Sequence, residues 1–301
     1  MWREARRPCP GSRCKGILRS MAAPGYHDHI VDTLIVERAP KLARSLVWPV
    51  ARPLLYGLLD YGKARRMADA IAPLSGQAAL DYMSALLAVR VSVRGLERVP
   101  KTGRLVLIAN HPTGIADGVA VYDAMKTVRS DICFYANADA HRVSPGLGDM
   151  LIPVEWLEDK RTRDRTRLTL TMTRDVMEAE RPLMIFPAGR LARQGWDGKL
   201  RESPWMSSAT SLARKYGAPI VPLHIKGPWS TLFHFFHHIS NELRDITLFH
   251  ELLNKRGRAF EIVVGPVIDP GALDGDAVEA TQALQVYVEH VLPRDPDRAF
   301  A

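Results

Sequence analysis

The chain has 301 residues, of which 47% are hydrophobic and 25% are charged. This ordinary globular composition excludes disordered and fibrous proteins, and a chain of this length can bury a core without disulfides or a structural metal. The 41 lysines and arginines outnumber the 33 acidic residues, and the resulting formal net charge of +8 favours anionic partners such as lipid headgroups, coenzyme A or nucleic acid.

Residues 1–29 are predicted to form a disordered basic leader. Their opening, MWREARRPCPGSRCKG, lacks the apolar centre of a secretory signal, and Met21 is a second candidate start. No uncharged apolar run in the chain approaches the ~18–20 residues of a spanning helix. The three cysteines are irregularly placed and imply no disulfide framework. These features disfavour a secreted or membrane-spanning protein and favour a reducing compartment.

Residues 30–88 are predicted to form a helical, membrane-associating segment. Within it, the stretch KLARSLVWPVARPLLYGLLDYGKARR mixes basic residues with Trp, Tyr and Leu, which is typical of a helix that lies in a lipid headgroup plane. Because Pro49 and Pro53 interrupt any single long amphipathic face, a helical hairpin packed on the main domain is a nearly equal alternative.

Residues 89–293 are predicted to form an α/β domain, followed by a polar tail at 294–301. Short β-rich runs alternate with amphipathic helical stretches in this region, which indicates a largely parallel mixed sheet covered by helices. The β-rich runs include RLVLIAN, DICFYA, PLMIFPAG and AFEIVVG. Near-continuous apolar strands such as LVLIA and LMIF fit a sheet that is covered on both faces.

The first candidate site follows the strand RLVLIAN. His111 comes directly after this strand, and Asp117 lies near the start of the next helix. Ligands of open α/β sheets bind beyond the carboxyl ends of the strands, where a histidine can act as a base near neutral pH. A carboxylate one turn away can hold the imidazole in one tautomer, and Pro112 and Gly114 supply a turn that can fold Asp117 back onto His111. A capping aspartate beside a half-buried histidine is the alternative.

Two further strand ends carry cations. Arg190 and Arg193 follow the turn after the strand PLMIF, in the block PAGRLAR. Lys226 lies at the end of the strand in APIVPLHIKG. A guanidinium presents a rigid fork of donors that suits phosphate oxygens. Together with His111 and Asp117, these cations would hold an anionic substrate beside a base.

The blocks NHPTGIADG, IFPAGRLAR and APIVPLHIKG, in this order and spacing, resemble the glycerolipid and lysophospholipid acyltransferase superfamily, and most closely its hemolysin-type bacterial branch. The resemblance implies a glycerol-3-phosphate acyltransferase-like fold. It also implies transfer of a fatty acyl group from an acyl-CoA or acyl-carrier-protein thioester to a lysolipid hydroxyl. The chain departs from the usual pattern in having five residues between His111 and Asp117 instead of four, Ala188 where the usual turn carries a glutamate, and Arg190 where it carries a threonine.

The resemblance further implies roles for individual residues. His111 is expected to be the general base and Asp117 the residue that orients it. Backbone N–H groups around Thr113 and Gly114 are candidate donors to the oxyanion. No cofactor is expected beyond the acyl-CoA or acyl-carrier-protein co-substrate. The phosphate or headgroup of the acceptor is expected to bind at Pro187, Gly189, Arg190, Arg193 and Lys226.

The acceptor that the resemblance favours is a lysophospholipid of the 1-acyl-glycerol-3-phosphate type. Another lysolipid hydroxyl, such as that of a lyso-ornithine lipid, is an alternative, and so is a non-catalytic, hemolysin-like lipid-binding protein. A non-catalytic lipid-binding protein would not need the His111–Asp117 pair. A nucleic-acid partner would explain the positive net charge but no other feature of the sequence. A metal site is not expected at FHFFHHIS, because no carboxylate or cysteine completes a ligand set with its histidines. The expected location is peripheral, on the cytoplasmic face of the inner or plasma membrane.

Overall fold

A central sheet organises the residues that the computed structural model describes, which are 29–155, 162–195, 197–198, 200–273 and 275–301. The strands, in chain order, are β1 (Arg90–Arg94), β2 (Leu105–Ala109), β3 (Cys133–Asn137), β4 (Leu151–Val154), β5 (Pro182–Ile185), β6 (Arg193–Gln194), β7 (Leu200–Arg201), β8 (Ile220–Lys226) and β9 (Ala259–Val264). Within the described chain, seven of them form the sheet in the order β1-β9-β8-β2-β5-β3-β4, and β6 pairs with β7 in a small hairpin.

Most of the sheet is parallel. The strands β8, β2, β5, β3 and β4 run in the same direction, whereas β9 pairs antiparallel with β8, and β1 runs parallel to β9. Every residue of β2 and of β5 is buried, because these central strands are covered on both faces. The structure confirms the predicted α/β class with a largely parallel mixed sheet.

Helices cover both faces of the sheet. They are α1 (Ile30–Arg38), α2 (Pro40–Ala43), α3 (Trp48–Leu58), α4 (Tyr61–Ile71), α5 (Gly76–Leu87), α6 (Ile115–Met125), α7 (Asp139–Val143), α8 (Arg163–Glu178), α9 (Ser208–Tyr216), α10 (Thr231–Ile239), α11 (Asn241–Asp245), α12 (Leu248–Leu253) and α13 (Ala277–Val286). Successive side chains of a strand point to opposite faces, so Leu107 joins the apolar cluster beneath α1 to α7 and α10 to α12, while Val106 and Ile108 join the cluster beneath α8, α9 and α13.

A buried carboxylate ties the first helices together. Asp32 of α1 accepts hydrogen bonds from the hydroxyl groups of Tyr56 (2.8 Å) and Tyr61, and it forms an ion pair with Arg52 at 3.1 Å. Because a buried carboxylate is costly without donors, these contacts hold α3 and the start of α4 against α1.

Helix α3 exposes one face of apolar side chains. None of its residues is buried, and Val50, Leu54 and Leu58 are each at least half exposed. Their four-residue spacing places them on one helix face. Across the described residues, no helix is both long enough and apolar enough to cross a membrane.

The predicted leader, residues 1–29, lies outside the described residues except for His29. The imidazole Nδ1 of His29 accepts the N–H of Val31 at 3.1 Å and caps α1. At the other end, residues 294–301 lie against the domain. The Tyr287 hydroxyl donates to the carbonyl of Arg298, and the Arg98 guanidinium donates to the carbonyl of Pro296, each at 2.6 Å.

The end of β2 is fastened to β8 by a side chain. Asn110 is 8% exposed; its Nδ2 donates to the carbonyl of Ile225 at 2.8 Å, and its Oδ1 accepts the N–H of Ile225 at 2.7 Å. This amide extends the pairing of the two strands by one residue, immediately before the chain leaves the sheet at His111.

Replacing Asn110 by leucine keeps the volume of the side chain but leaves both backbone groups of Ile225 unpaired. We expect Asn110→Leu to lower the free energy of unfolding by about 1–3 kcal/mol, measured by urea denaturation. Asn137→Leu, at the exposed end of β3, is the matched control and should cost less. Equal losses in the two variants would contradict the fastening role of Asn110.

Candidate active site

His111 and Asp117 are in direct contact. The imidazole Nδ1 lies 2.9 Å from Oδ2 of Asp117, which is the third residue of α6 and is fully buried. An ionised carboxylate can only accept hydrogen bonds, so Nδ1 carries the proton. In the neutral imidazole, Nε2 then has a free lone pair. This is the geometry in which a histidine can remove a proton from a substrate while the carboxylate stabilises the imidazolium that forms.

The turn before α6 supplies the other donors to Asp117. The N–H groups of Thr113 (2.9 Å) and Gly114 (3.0 Å) both donate to Oδ2, and the Thr113 hydroxyl donates to Oδ1. Gly114 has a φ of +88°, and a Cβ at this position would lie 2.9 Å from Cδ2 of Leu191. The turn therefore needs glycine both for its backbone conformation and for the close approach of Leu191.

These contacts correct one prediction about the site. The N–H groups of Thr113 and Gly114 are the candidate oxyanion donors, but in the structure both donate to the Asp117 carboxylate. A buried carboxylate keeps such donors because losing them would leave its charge uncompensated. These amides therefore position Asp117 and are not free to bind a substrate oxygen.

The loop after β5 encloses His111 from the other side. The imidazole stacks on the ring of Phe186, with ring centroids 4.2 Å apart, and the His111 carbonyl accepts the N–H of Ala192 at 3.0 Å. The predicted turn at Pro187 and Gly189 is closed by a hydrogen bond of 3.0 Å from the Gly189 N–H to the Phe186 carbonyl. The side chain of His111 is left 16% exposed, which gives a substrate access to it.

The predicted cations divide into two groups. Arg190 is exposed in the turn after β5, and Arg193 is half-buried at the start of β6. Burial lowers the pKa of Arg193, and the nearby positive charges of Arg244 and Arg190 lower it further. Lys226 instead lies exposed at the end of β8, where its ammonium pairs with Glu261 of β9 at 3.2 Å. The two arginines therefore lie near each other, whereas Lys226 forms an ion pair with Glu261.

Glu202 is a half-buried carboxylate that the motifs did not predict as part of the site. It follows β7, accepts the backbone N–H of His111, and accepts the indole N–H of Trp205 at 2.8 Å. Burial raises the pKa of Glu202 to about 7, although the two hydrogen bonds oppose this shift. The motif turn has Ala188 in place of its usual carboxylate, and this departure is the signal in the sequence for an acidic residue elsewhere in the site.

Lys255 is a second buried group that the motifs did not identify as part of the site. Its side chain is 2% exposed, and its ammonium lies 3.3 Å from Glu251 and 2.7 Å from the Asn254 side-chain oxygen. Burial lowers its pKa, whereas the negative charges of Glu251 and Asp117 oppose that change. Lys255 therefore adds a positive charge to the surroundings of the buried Asp117.

Two histidines of α10 accept hydrogen bonds from β6 and from the next helix. His234 Nδ1 accepts the N–H of Gln194 at 3.2 Å, and His237 Nδ1 lies 3.1 Å from the guanidinium of Arg244. Among the residues with described positions, no group of three or more His, Cys, Asp or Glu side chains is arranged to hold a metal ion.

Comparisons with known proteins identify similar chains. Residues 90–226 match the family model described as Acyltransferase. The chain is 26% identical over 200 residues to a lyso-glycine lipid O-acyltransferase of Phocaeicola vulgatus, covering 63% of this chain and 69% of the relative. It is 24% identical over 225 residues to a lyso-glycine lipid O-acyltransferase of Bacteroides thetaiotaomicron, covering 71% and 79%.

A solved structure of the 1-acyl-sn-glycerophosphate acyltransferase PlsC from Thermotoga maritima superposes with a TM-score of 0.46 at 15% sequence identity. The superposition covers 89% of this chain and 97% of that chain.

The raised pKa of Glu202 predicts a pH-dependent stability. Its pKa is about 7 in the folded state and 4.5 for the unperturbed group, so the folded protein binds this proton more tightly. Glu202 should therefore destabilise the protein progressively as the pH rises from about 4.5 through 7. In urea denaturation, Glu202→Gln should gain stability relative to the wild type between about pH 5 and pH 8. Glu279→Gln, at an exposed carboxylate, should show no such gain, and a constant difference between Glu202→Gln and the wild type would contradict the prediction.

Proposed function

We propose that this protein transfers a fatty acyl group to the hydroxyl of a lysolipid, a function supported by the match of residues 90–226 to the Acyltransferase family model. The observation that carries the proposal is the 2.9 Å contact between His111 and the buried Asp117 at the carboxyl end of a central strand. Two relatives whose names state lyso-glycine lipid O-acyltransferase support a lysolipid as the acceptor.

The proposed reaction is a direct transfer from a thioester. His111 Nε2 removes the proton of the acceptor hydroxyl while that oxygen attacks the thioester carbonyl. The tetrahedral intermediate then expels the thiolate, and the imidazolium returns the proton to it, so an ester and a free thiol are formed. The donor is acyl-CoA or acyl-carrier protein, and no further cofactor takes part. Asp117 keeps the imidazole in the required tautomer and stabilises its positive charge.

The proposed acceptor is a lysolipid with an anionic headgroup. A lysophospholipid of the 1-acyl-glycerol-3-phosphate type fits this description, and so does the alternative of an amino-acid-containing lysolipid, which the names of the two relatives favour. Arg190 and Arg193 follow the turn that encloses His111, so we assign the headgroup to their side of the site. Because Lys226 pairs with Glu261, we leave it out of the headgroup site.

We also propose that the protein attaches peripherally to the cytoplasmic face of the inner or plasma membrane. The apolar face of α3, formed by Val50, Leu54 and Leu58, is exposed, and basic residues flank it at Lys41 and Arg44. Such a helix can bury its apolar face at the headgroup boundary while its cations attract anionic lipid. This attachment would deliver the enzyme to an acceptor that resides in the bilayer.

Removing the proposed base should abolish transfer. We expect His111→Ala to reduce turnover by roughly 10²–10⁴-fold, since it removes general-base catalysis. The assay incubates the protein with labelled acyl-CoA or acyl-carrier protein and a panel of lysolipids, and the diacyl products are separated by chromatography. His290→Ala, at an exposed histidine, is the matched control and should retain wild-type turnover. Undiminished product formation by folded His111→Ala protein would refute the proposed mechanism.

Charging the exposed face of α3 should weaken membrane binding. The double variant Val50→Glu/Leu54→Glu places two carboxylates where we expect contact with the lipid, so it should sediment less with vesicles containing anionic lipid. Val278→Glu/Val286→Glu makes the same change at two exposed positions of α13 and should bind vesicles like the wild type. The attachment site would be wrong if both double variants bound equally well.

A further inference from the structure

Glu202 holds the backbone of the proposed base from a distant segment of the chain. One carboxylate oxygen, Oε1, accepts the backbone N–H of His111, and the other, Oε2, accepts the indole N–H of Trp205 at 2.8 Å. An ionised carboxylate can accept both hydrogen bonds because it carries no proton of its own. The side chain of Glu202 therefore links the end of β2 to the segment that follows β7.

The backbone of His111 is fixed on both sides of its Cα. The N–H group donates to Glu202, and the carbonyl accepts the N–H of Ala192 at 3.0 Å. The ring is held separately, by the contact of 2.9 Å with Asp117 and by stacking on Phe186. Because a side chain can only reach as far as its Cα allows, the contact with Glu202 helps to decide where Nε2 lies.

The segment that carries Glu202 is itself anchored to the domain. Trp205 is 5% exposed, and its backbone N–H donates to the side-chain oxygen of Gln285 of α13 at 3.0 Å. The next residue, Met206, donates its N–H to the carbonyl of Pro187, in the turn after β5, at 3.0 Å. Glu202 thus connects the proposed base to a well-supported part of the structure.

The charge of Glu202 is costly at its half-buried position. Burial raises the pKa of Glu202 to about 7; Glu289, beyond α13, adds to this shift, whereas His111 opposes it. Arg201, the preceding residue, forms an ion pair with Asp197. Protonation of one oxygen would remove an acceptor, so both hydrogen bonds are made only by the ionised form. A carboxylate that costs stability and directly contacts a candidate base is typical of a functional site.

We propose that Glu202 is a positioning residue for the acyl transfer: its carboxylate holds the His111 backbone where Nε2 can meet the acceptor hydroxyl, and Trp205 holds the carboxylate. This inference rests on the proposed acyl transfer and deepens it. Glu202 acts through His111 and touches no reacting atom. It should therefore contribute to turnover and not to the affinity for either substrate.

The test replaces the carboxylate by an amide of the same shape. Glu202→Gln has one acceptor oxygen and an amino group that can only donate, so it keeps one of the two hydrogen bonds. At about pH 8.5 we expect a kcat about 10- to 100-fold below that of the wild type, with unchanged KM values for the acyl donor and for the lysolipid. Glu279→Gln, at an exposed carboxylate of α13, is the matched control and should keep wild-type kinetics.

The pH dependence separates positioning from a purely structural role. At about pH 5.5 the wild-type carboxyl is mostly protonated and also keeps one acceptor oxygen, so its kcat should approach that of Glu202→Gln. The ratio of the two kcat values should grow toward pH 8.5 as Glu202 ionises. Over the same range the stability of Glu202→Gln should rise relative to the wild type. Loss of a merely structural contact would not move activity and stability in opposite directions.

A second variant tests the role of Trp205. Trp205→Phe keeps an aromatic ring but removes the indole N–H, so Oε2 of Glu202 loses its donor and kcat should fall, although less than in Glu202→Gln. The double variant should be no slower than Glu202→Gln alone, because Trp205 acts through Glu202. Melting curves followed by circular dichroism show whether each variant is folded, and Glu202→Gln tests the proposal independently if Trp205→Phe is not. Multiplying losses in the double variant would overturn the role of Trp205.

Failure of this inference differs from failure of the proposed function. Wild-type protein that acylates neither a lyso-glycine lipid nor 1-acyl-glycerol-3-phosphate, with acyl-CoA or acyl-carrier protein, would overturn the acyl transfer and the inference with it. Active wild-type protein with an equally active Glu202→Gln variant at pH 8.5 would overturn only the positioning role. A raised KM with unchanged kcat, or a kcat ratio that stays constant with pH, would also overturn it.

Discussion

The buried charge of Asp117 is the constraint on which the geometry of the site depends. A carboxylate without access to water needs hydrogen-bond donors from the protein to compensate its charge. For Asp117 these donors are the His111 ring, two backbone N–H groups and one hydroxyl. Meeting that need fixes the path of the turn, requires glycine at position 114, and leaves the imidazole with Nε2 unprotonated. The orientation of the His111 ring, on which the proposed catalysis depends, is thus a consequence of how a buried anion is stabilised.

The candidate site separates negative and positive charge around one imidazole. Asp117 contacts the His111 ring, and Glu202 contacts the His111 backbone. Positive charge lies on another side of the site, where the nearby Arg190 and Arg244 lower the pKa of the half-buried Arg193. In the proposed reaction the imidazole gains a proton while an anionic acceptor is bound. Carboxylates near the ring and guanidinium groups near the headgroup are the charges that these two events require.

The N-terminal helices are connected to this arrangement through α11. The carboxylate of Glu242 accepts the N–H groups of Lys41 (3.0 Å) and Leu42 (2.8 Å), so α2 is fastened to the helix that carries Arg244. The next helix, α3, presents the exposed apolar face. Hydrogen bonds thus join α2 to α11, and α10, which precedes α11, contacts Gln194 of β6 through His234. The proposed membrane contact lies on the helix that follows α2 along the chain.

The amino-acid sequence by itself determined the sheet class and the pairing of His111 with Asp117. Strands that are buried on both faces are apolar throughout, so β2 and β5 could be predicted from their sequence. His111 and Asp117 are six positions apart on a turn whose glycine and proline restrict its path. Only the tertiary structure decided two further features of the site. Glu202 lies 91 residues from His111 along the chain, and the amides of Thr113 and Gly114 donate to Asp117. Local spacing specifies contacts within a turn, whereas contacts between distant segments depend on how helices and loops pack over the sheet edge, and no short motif records that packing.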